Sequence, residues 1–214
     1  AVGYVALDAN TTGNKNTAIG RQALGANTTA HDNTAVGGDA LLVNTTGANN
    51  TAVGSNAHLN LTTGRKNTAV GNGAASNTTT GKENVAVGNQ ALGNNTTGSE
   101  NVAIGETAGQ YVSGSKNICI GMRSAFVQSI TGSNNIIIGE TSQASAANVS
   151  NEITLGNTSI NKFRIPGINF VLKDNGGTPT EGHVLTVDSN GEAGFAAASG
   201  GGGSSLTVQE EGSA

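Results

Sequence analysis

A glycine returns at a fixed spacing along most of this chain, at Gly3, Gly20, Gly37, Gly54, Gly71, Gly88, Gly105, Gly121, Gly139 and Gly156. Seven of the nine steps are seventeen residues; the steps into and out of Gly121 are sixteen and eighteen, so the register slips once and recovers. The same apolar word precedes the glycine each time. It reads Asn-Thr-Ala-Ile-Gly at 16–20 and Asn-Thr-Ala-Val-Gly at 33–37, 50–54 and 67–71. It then becomes Asn-Val-Ala-Val-Gly at 84–88, Asn-Val-Ala-Ile-Gly at 101–105, Asn-Ile-Cys-Ile-Gly at 117–121 and Asn-Ile-Ile-Ile-Gly at 135–139. A fixed period of this kind predicts stacked coils that bury their apolar atoms against one another, so the chain is a rod in which each coil touches only its neighbours.

Counting from the glycine, position −1 is always branched and apolar, from Val2 and Ile19 to Ile138 and Leu155. Position −3 runs from Thr17, Thr34, Thr51 and Thr68 to Val85, Val102, Ile118, Ile136 and Ile153, and position −2 is alanine up to Ala103, then Cys119, Ile137 and Thr154. Alternation along a strand sets −1 and −3 on one face and −2 on the other. The branched face is expected inward, and the alanine face outward, covered by another subunit. Ala23, Ala40, Ala57 and Ala74 at +3, with leucines at +4, suggest a second strand per coil. Asn-Thr-Thr-Gly turns at 10–13, 44–47 and 95–98 follow, with a positive φ expected at Gly13, Gly47, Gly64, Gly81 and Gly98. Asparagine recurs at −4 from Asn16 to Asn135, a column whose amides can bond from coil to coil at roughly 4.8 Å. Position −5 mostly alternates in sign, and Lys15–Asp32, Lys66–Glu83 and Glu100–Lys116 are the expected ion pairs.

Composition agrees with a ladder of small residues. Aromatic residues are 3% of the chain, charged residues 11%, tryptophan is absent and there are 33 glycines, too little bulk for an ordinary globular core. The net charge of −4 is spread thinly, without the basic patch that nucleic-acid binding requires. No apolar run reaches transmembrane length. The chain opens on the tail of a repeat word and closes on what reads as the start of another segment, as a piece of a longer polypeptide would.

Few residues suggest chemistry. Glu83 and Glu100 share a column in adjacent coils and are the best candidates for a carboxylate pair, weighed against a plain exposed column tempered by Lys66 and Lys116. His31, His58 and His183 fall at unrelated positions without ligand spacing. Cys119 replaces an alanine and reads as a small buried hydrophobe. The serines have no base at a recognisable spacing. Asn-Thr-Thr also matches a glycosylation acceptor, but turn chemistry accounts for its recurrence. No catalytic, cofactor-binding or metal-binding residue is expected.

The Asn-x-Ala-(Val/Ile)-Gly words over residues 1–156 resemble the head repeats of trimeric autotransporter adhesins, which occur also in bacteriophage tail fibres. The resemblance implies an all-β parallel solenoid, a left-handed β-roll of about seventeen residues per coil, with three chains around one axis. Adhesin heads pass into heptad coiled coils, and no heptads follow here. Residues 157–175 look like the strand-rich transition of phage fibres. Residues 176–200 read as a β-hairpin connector, with Gly182–Val187 and Glu192–Phe195 as its arms. Residues 201–205 are a Gly/Ser linker, and 206–214 open a further segment. The expectation is a structural shaft of a phage tail fibre in the virion. It forms a homotrimer, joins other virion tail proteins and reaches a host cell-surface receptor, polysaccharide or outer-membrane component, through segments beyond this chain. Nucleic acid is not an expected partner. A bacterial surface adhesin is the alternative; a polysaccharide-cleaving tailspike and an ice-binding solenoid are remoter.

Overall fold

A computed structural model describes residues 1–127, 129–160, 183–187 and 193–197. The repeats lie in a first unit, Ala1–Lys162, and the last two strands in a second, Phe163–Ala214. The first unit holds nine three-residue strands: β1 (Thr17–Ile19), β2 (Thr34–Val36), β3 (Thr51–Val53), β4 (Thr68–Val70), β5 (Val85–Val87), β6 (Val102–Ile104), β7 (Ile118–Ile120), β8 (Ile136–Ile138) and β9 (Ile153–Leu155). They form one sheet in sequence order. Every pair is parallel and in register, so Ala35 meets Ala52 and Val85 meets Val102. The architecture is an all-β parallel solenoid of about seventeen residues per turn, with no helix among the described residues. The slip at Gly121 leaves the ladder intact: Ile104 still meets Ile120, and Ile120 meets Ile138.

The faces of the strands are the reverse of the expectation. Position −2 points into the coil: Ala35, Ala52, Ala69, Ala86 and Ala103 are fully buried. Positions −1 and −3 face outward and stay half-exposed, as in Ile104 at 41%. The reason is the width of the coil. The −2 alanine must fit beside the +3 alanine and the +4 leucine of the same narrow turn, all three buried in one cluster (Ala18, Ala23 and Leu24 in the first complete coil). Neighbouring residues of a strand cannot both face inward, and in β1–β7 the smaller one does. The interior widens later in the chain by compensation. Cys119 replaces alanine at −2, and Gly109, at +4, has Leu92, Cys119 and Val112 as the nearest neighbours of its missing side chain. The larger residue at −2 is thus met by a smaller one at +4, as dense packing favours.

The second word of the repeat forms no strand. Its residues at +2 and +4 take left-handed backbone angles, as in Gln22 (φ 56°) and Leu24 (φ 52°), while the alanine between does not. Such residues cost about 1–2 kcal/mol each. They persist because each bonds to the next or previous coil, Leu24 N–H to Ala40 C=O at 3.0 Å and Gln22 N–H to Tyr4 C=O at 2.9 Å. The turn glycines are also corrected. Gly13, Gly47, Gly64, Gly81 and Gly98 are absent from the positive-φ positions. They are glycine because a side chain there would strike the backbone carbonyl of the next coil, Gly81 C=O in the case of Gly64. The motif glycines carry the positive φ, 134° at Gly54 and at Gly88.

The asparagine column does more than the expected amide ladder. Each −4 asparagine uses Oδ1 to accept the backbone N–H of the asparagine one coil on: Asn50 from Asn67 at 3.0 Å, Asn67 from Asn84 at 3.0 Å, Asn84 from Asn101 at 2.9 Å. Its Nδ2 donates to the turn carbonyl of the next coil, Asn50 to Gly64 at 3.0 Å and Asn67 to Gly81 at 2.9 Å. Backbone groups interior to the coil are thereby satisfied by side chains, which the short strands alone cannot do. A second column at +7 (Asn10, Asn27, Asn44 and Asn95) donates to the same turn carbonyls, Asn44 to Gly47 at 2.9 Å and Asn95 to Gly98 at 3.0 Å. The −4 ladder ends at Glu152. Its N–H donates to Asn135 Oδ1 at 3.0 Å, and its carboxylate accepts from Ser145 and Thr154. Burial would raise that carboxyl's pKa; the hydrogen bonds outweigh it and hold the group below the ordinary carboxylate range.

In the second unit, β10 (His183–Val187) and β11 (Ala193–Ala197) pair antiparallel, Leu185 opposite Phe195. β10 falls within 182–187 and β11 overlaps 192–195; the rest of the expected connector 176–200 lies outside the described residues. Of the expected transition segment 157–175 only residues 157–160 are described, and residues 161–175, the linker 201–205 and the segment 206–214 lie outside the described residues.

Candidate functional site: the outward face of the strand ladder

The largest regular feature offered to another molecule is the outward face of β1–β9. In-register parallel pairing puts identical positions above one another, so −1 and −3 form two straight columns. The −1 column is wholly branched and apolar, Ile19 through Leu155. The −3 column is threonine in β1–β4 and valine or isoleucine in β5–β9. Ile19, Val53, Val70, Ile104, Ile138, Ile153 and Leu155 are exposed, and their neighbours in the columns are mostly half-buried. Large apolar side chains lined up in this way on a surface mark an interaction face. No charged residue occupies either column.

The residues singled out for chemistry stay dispersed. Glu83 pairs with Lys66, Nζ to Oε1 at 3.5 Å, both side chains well exposed. That is one of the three expected column pairs. Among the described residues Lys15–Asp32 and Glu100–Lys116 form no ion pair; Asp32 instead meets His31 at 2.6 Å. The exposed Lys66–Glu83 pair contributes little to stability. Arg21, at +1, pairs with Asp39, at +2 of the next coil, a pair not foreseen from the column pattern. Cys119 is buried, and burial pushes its thiol up to about 12, as expected of a packing residue. His183 lies in β10.

His58 has a role that repeat position alone hints at. It occupies +4, where Leu24, Leu41 and Leu92 sit in other coils, and it is fully buried. Neither ring nitrogen has a hydrogen-bond partner. Burial pushes its pKa down to about 4, against a smaller opposing pull from the Ala75 backbone. It is a neutral imidazole filling a leucine's place. Among the described residues no group of three or more His, Cys, Asp or Glu is placed to hold a metal ion. An open cleft of about 500 Å³ at the end of the roll is lined by Thr141, Gln143, Thr154, Gly156, Asn157, Thr158 and Ser159, without an acid, base or thiol.

Comparison with known protein families, with curated proteins and with solved structures returned no match.

Proposed function

We propose that residues 1–156 are the shaft of a phage tail fibre, and that three copies associate side by side through the outward columns of β1–β9. The observation that carries this reading is the continuous apolar face itself. The nine strands present fourteen branched apolar side chains outward. A half-exposed valine or isoleucine leaves about 1 kcal/mol of burial unrealised. Association costs roughly 4–15 kcal/mol in lost freedom, so a single coil is too small an interface and the whole ladder is needed. The subunit contact therefore belongs to the branched residues at −1 and −3, not to the alanines at −2, which the coil itself uses. In this reading the segment carries no catalysis. It holds a receptor-binding region of the fibre away from the particle, and several trimeric fibres per particle turn weak contacts into firm attachment through effective concentration.

Light scattering on the purified chain tests the assembly, with a mass of three chains expected; a stable monomer overturns it. Gold-labelled antibody to residues 1–156 tests the setting, and decoration of tail fibres on phage particles is expected. Incubation with host surface polysaccharide tests the absence of catalysis. New reducing ends that vanish in a Glu83→Gln, Glu100→Gln double variant would make the chain a depolymerase instead.

A further inference from the structure

A second wall of the roll has a different character. It is built from the two residues that follow +4 in each coil. Backbone bonds join it from coil to coil: Val43 N–H to Leu59 C=O at 3.2 Å, Asn60 to Ser76 at 2.9 Å, Asn77 to Gly93 at 3.1 Å and Asn94 to Gln110 at 2.9 Å. From Leu42–Val43 to Phe126–Val127 these positions contain no Asp, Glu, Lys or Arg. The other exposed columns do carry charge, with Arg21, Asp39 and Glu106 just after the motif glycine and Lys66, Glu83 and Glu100 at −5.

On this uncharged wall runs an amide ladder. Asn60 Nδ2 donates to Asn77 Oδ1 at 3.0 Å, and Asn77 Nδ2 to Asn94 Oδ1 at 2.9 Å. Each amide keeps a second N–H and a second acceptor site free. The next coil puts Tyr111 where a fourth asparagine would stand. Tyr111 is 42% exposed, and its ring lies 5.6 Å from that of Phe126, tilted by 54°. Phe126 sits where the coil of Gly121 is lengthened: four residues separate Ala125 from Ile130, against two between Leu92 and Asn95. An aromatic pair thus follows the amide ladder on the same wall, in a chain with 3% aromatic residues.

We propose that this wall binds a neutral polysaccharide lengthwise, hexose hydroxyls on the Asn60–Asn77–Asn94 amides and one hexose face on the Tyr111–Phe126 pair. Three observations select that ligand. The wall lacks charge, which suits an uncharged partner and offers nothing to an anionic one. Its amides recur at the coil spacing of about 4.8 Å, close to the rise of one hexose in an extended glycan. The exposed Tyr111 ring, with Phe126 tilted against it, supplies an apolar face on which the C–H face of a sugar ring stacks. The site lies apart from the strand face, so it needs neither the trimer nor the viral setting.

The test is affinity electrophoresis of the full chain through gels containing dextran, mannan or a neutral galactan, with dextran sulfate as the charged counterpart. Retardation by at least one neutral polymer is expected, weakened about tenfold in Tyr111→Ala and preserved in Tyr111→Phe, which keeps the ring. The Asn94→Ala variant, altered only at an exposed side chain, should weaken binding by a smaller factor and covers the case in which Tyr111→Ala fails to fold. Light scattering of each variant separates loss of glycan binding from loss of assembly. The proposal fails if no neutral polymer retards the chain, if dextran sulfate alone does, or if folded Tyr111→Ala and Asn94→Ala bind as the parent does.

Discussion

The coils of β1–β4 and those of β5–β8 share one backbone and differ in chemistry on both sides of it. Outward, the first four strands read Thr-Ala-Val or Thr-Ala-Ile, and the next four place valine or isoleucine at both outer positions. Inward, the +7 position is asparagine at Asn10, Asn27, Asn44 and Asn95, interrupted by Leu61 and Thr78, and the last coils fill the matching place in the turn with Val112 and Ile130, fully buried. The −2 residue grows as well, from Ala18 to Cys119 and Ile137. What stays constant is the −4 asparagine column, which bonds coil to coil from Asn16 to Asn135. The backbone ladder and that column therefore specify the coil. The outer columns and the +7 position are free to set what the coil sticks to and how its interior is filled.

If three copies pack through the strand face, the two halves contribute unequally, and charge insertion should expose the difference. Val102→Asp with Ile136→Asp places unpaired carboxylates in the apolar half. An uncompensated buried charge costs about 3–5 kcal/mol, so light scattering should report monomer. Thr34→Asp with Thr51→Asp, in the half that already carries hydroxyls, should leave the trimer mass intact at the same concentration. Equal behaviour of the two pairs would refute the division.

The shared column is the next target. Asn67→Ala removes the acceptor of Asn84 N–H and the side-chain donor to Gly81 C=O, both inside the coil. Each buried group left without a partner costs about 1–3 kcal/mol. Urea unfolding should shift accordingly, and by more than for Asn84→Ala, because Gly98 C=O keeps a second donor in Asn95. A shift no larger than that of an exposed asparagine such as Asn94→Ala would show that the column is ornamental.

His58 lies in the first group of coils, between β3 and β4, and makes that group sensitive to acid. Its pKa falls from 6.5 to about 4 on folding. Above pH 6.5 the ring is neutral in both states and stability is unaffected. Between pH 6.5 and 4 the unfolded chain binds the proton and the folded chain does not, so stability falls with pH, by about 3 kcal/mol in all, and then levels off. Thermal unfolding followed from pH 7.5 to 3.5 should show this loss, and His58→Leu should remove it, since leucine is what the column holds in neighbouring coils. An unchanged pH profile in His58→Leu would place the acid sensitivity elsewhere.

The period, the parallel register and the asparagine ladder were legible from residue spacing because each depends on identical residues meeting one coil apart. The orientation of the strand was not. Alternation separates −1 and −3 from −2 but carries no sign, and larger apolar residues usually mark the inside. Here the +3 alanine and the +4 leucine already occupy the space opposite −2, so in most coils the small residue is the inner one. Ala86→Leu now tests coil stability rather than assembly: overpacking should lower the urea midpoint by an amount equivalent to about 1–3 kcal/mol. Loss of the trimer with an unchanged midpoint would restore the alanine interface. The left-handed residues at +2 and +4 were also hidden, since Gln22 and Leu24 carry no local signal for positive φ. Inter-coil bonds impose it. The amide–aromatic wall could have been found by asking which exposed columns lack charge.

The smallest expected effect discriminates most finely between the two kinds of interior. In the +7 column, Asn27 Nδ2 donates to Asn10 Oδ1 at 2.9 Å and Asn44 Nδ2 reaches Asn27 Oδ1 at 3.4 Å. Leu61 then interrupts the column, and Asn44 Oδ1 is left buried without a partner. One coil further on, the Thr78 hydroxyl is buried and unpartnered too. The same thing happens at the second interruption, where Val112 follows Asn95 and Asn95 Oδ1 has no partner. An asparagine in place of Leu61 would donate to Asn44, as Asn44 does to Asn27, and accept from Thr78. Loss of a buried leucine costs roughly 2–5 kcal/mol when nothing is gained. Satisfying two buried groups returns about 1–3 kcal/mol each. Leu61→Asn should therefore unfold within about 1 kcal/mol of the parent. Leu92→Asn, in the apolar +4 column, offers no such partners and should lose the full amount. Urea midpoints measured side by side decide it. If Leu61→Asn is as damaging as Leu92→Asn, the unpartnered oxygen of Asn44 is not waiting for an amide, and the interior of the first coils is apolar in kind like that of the last.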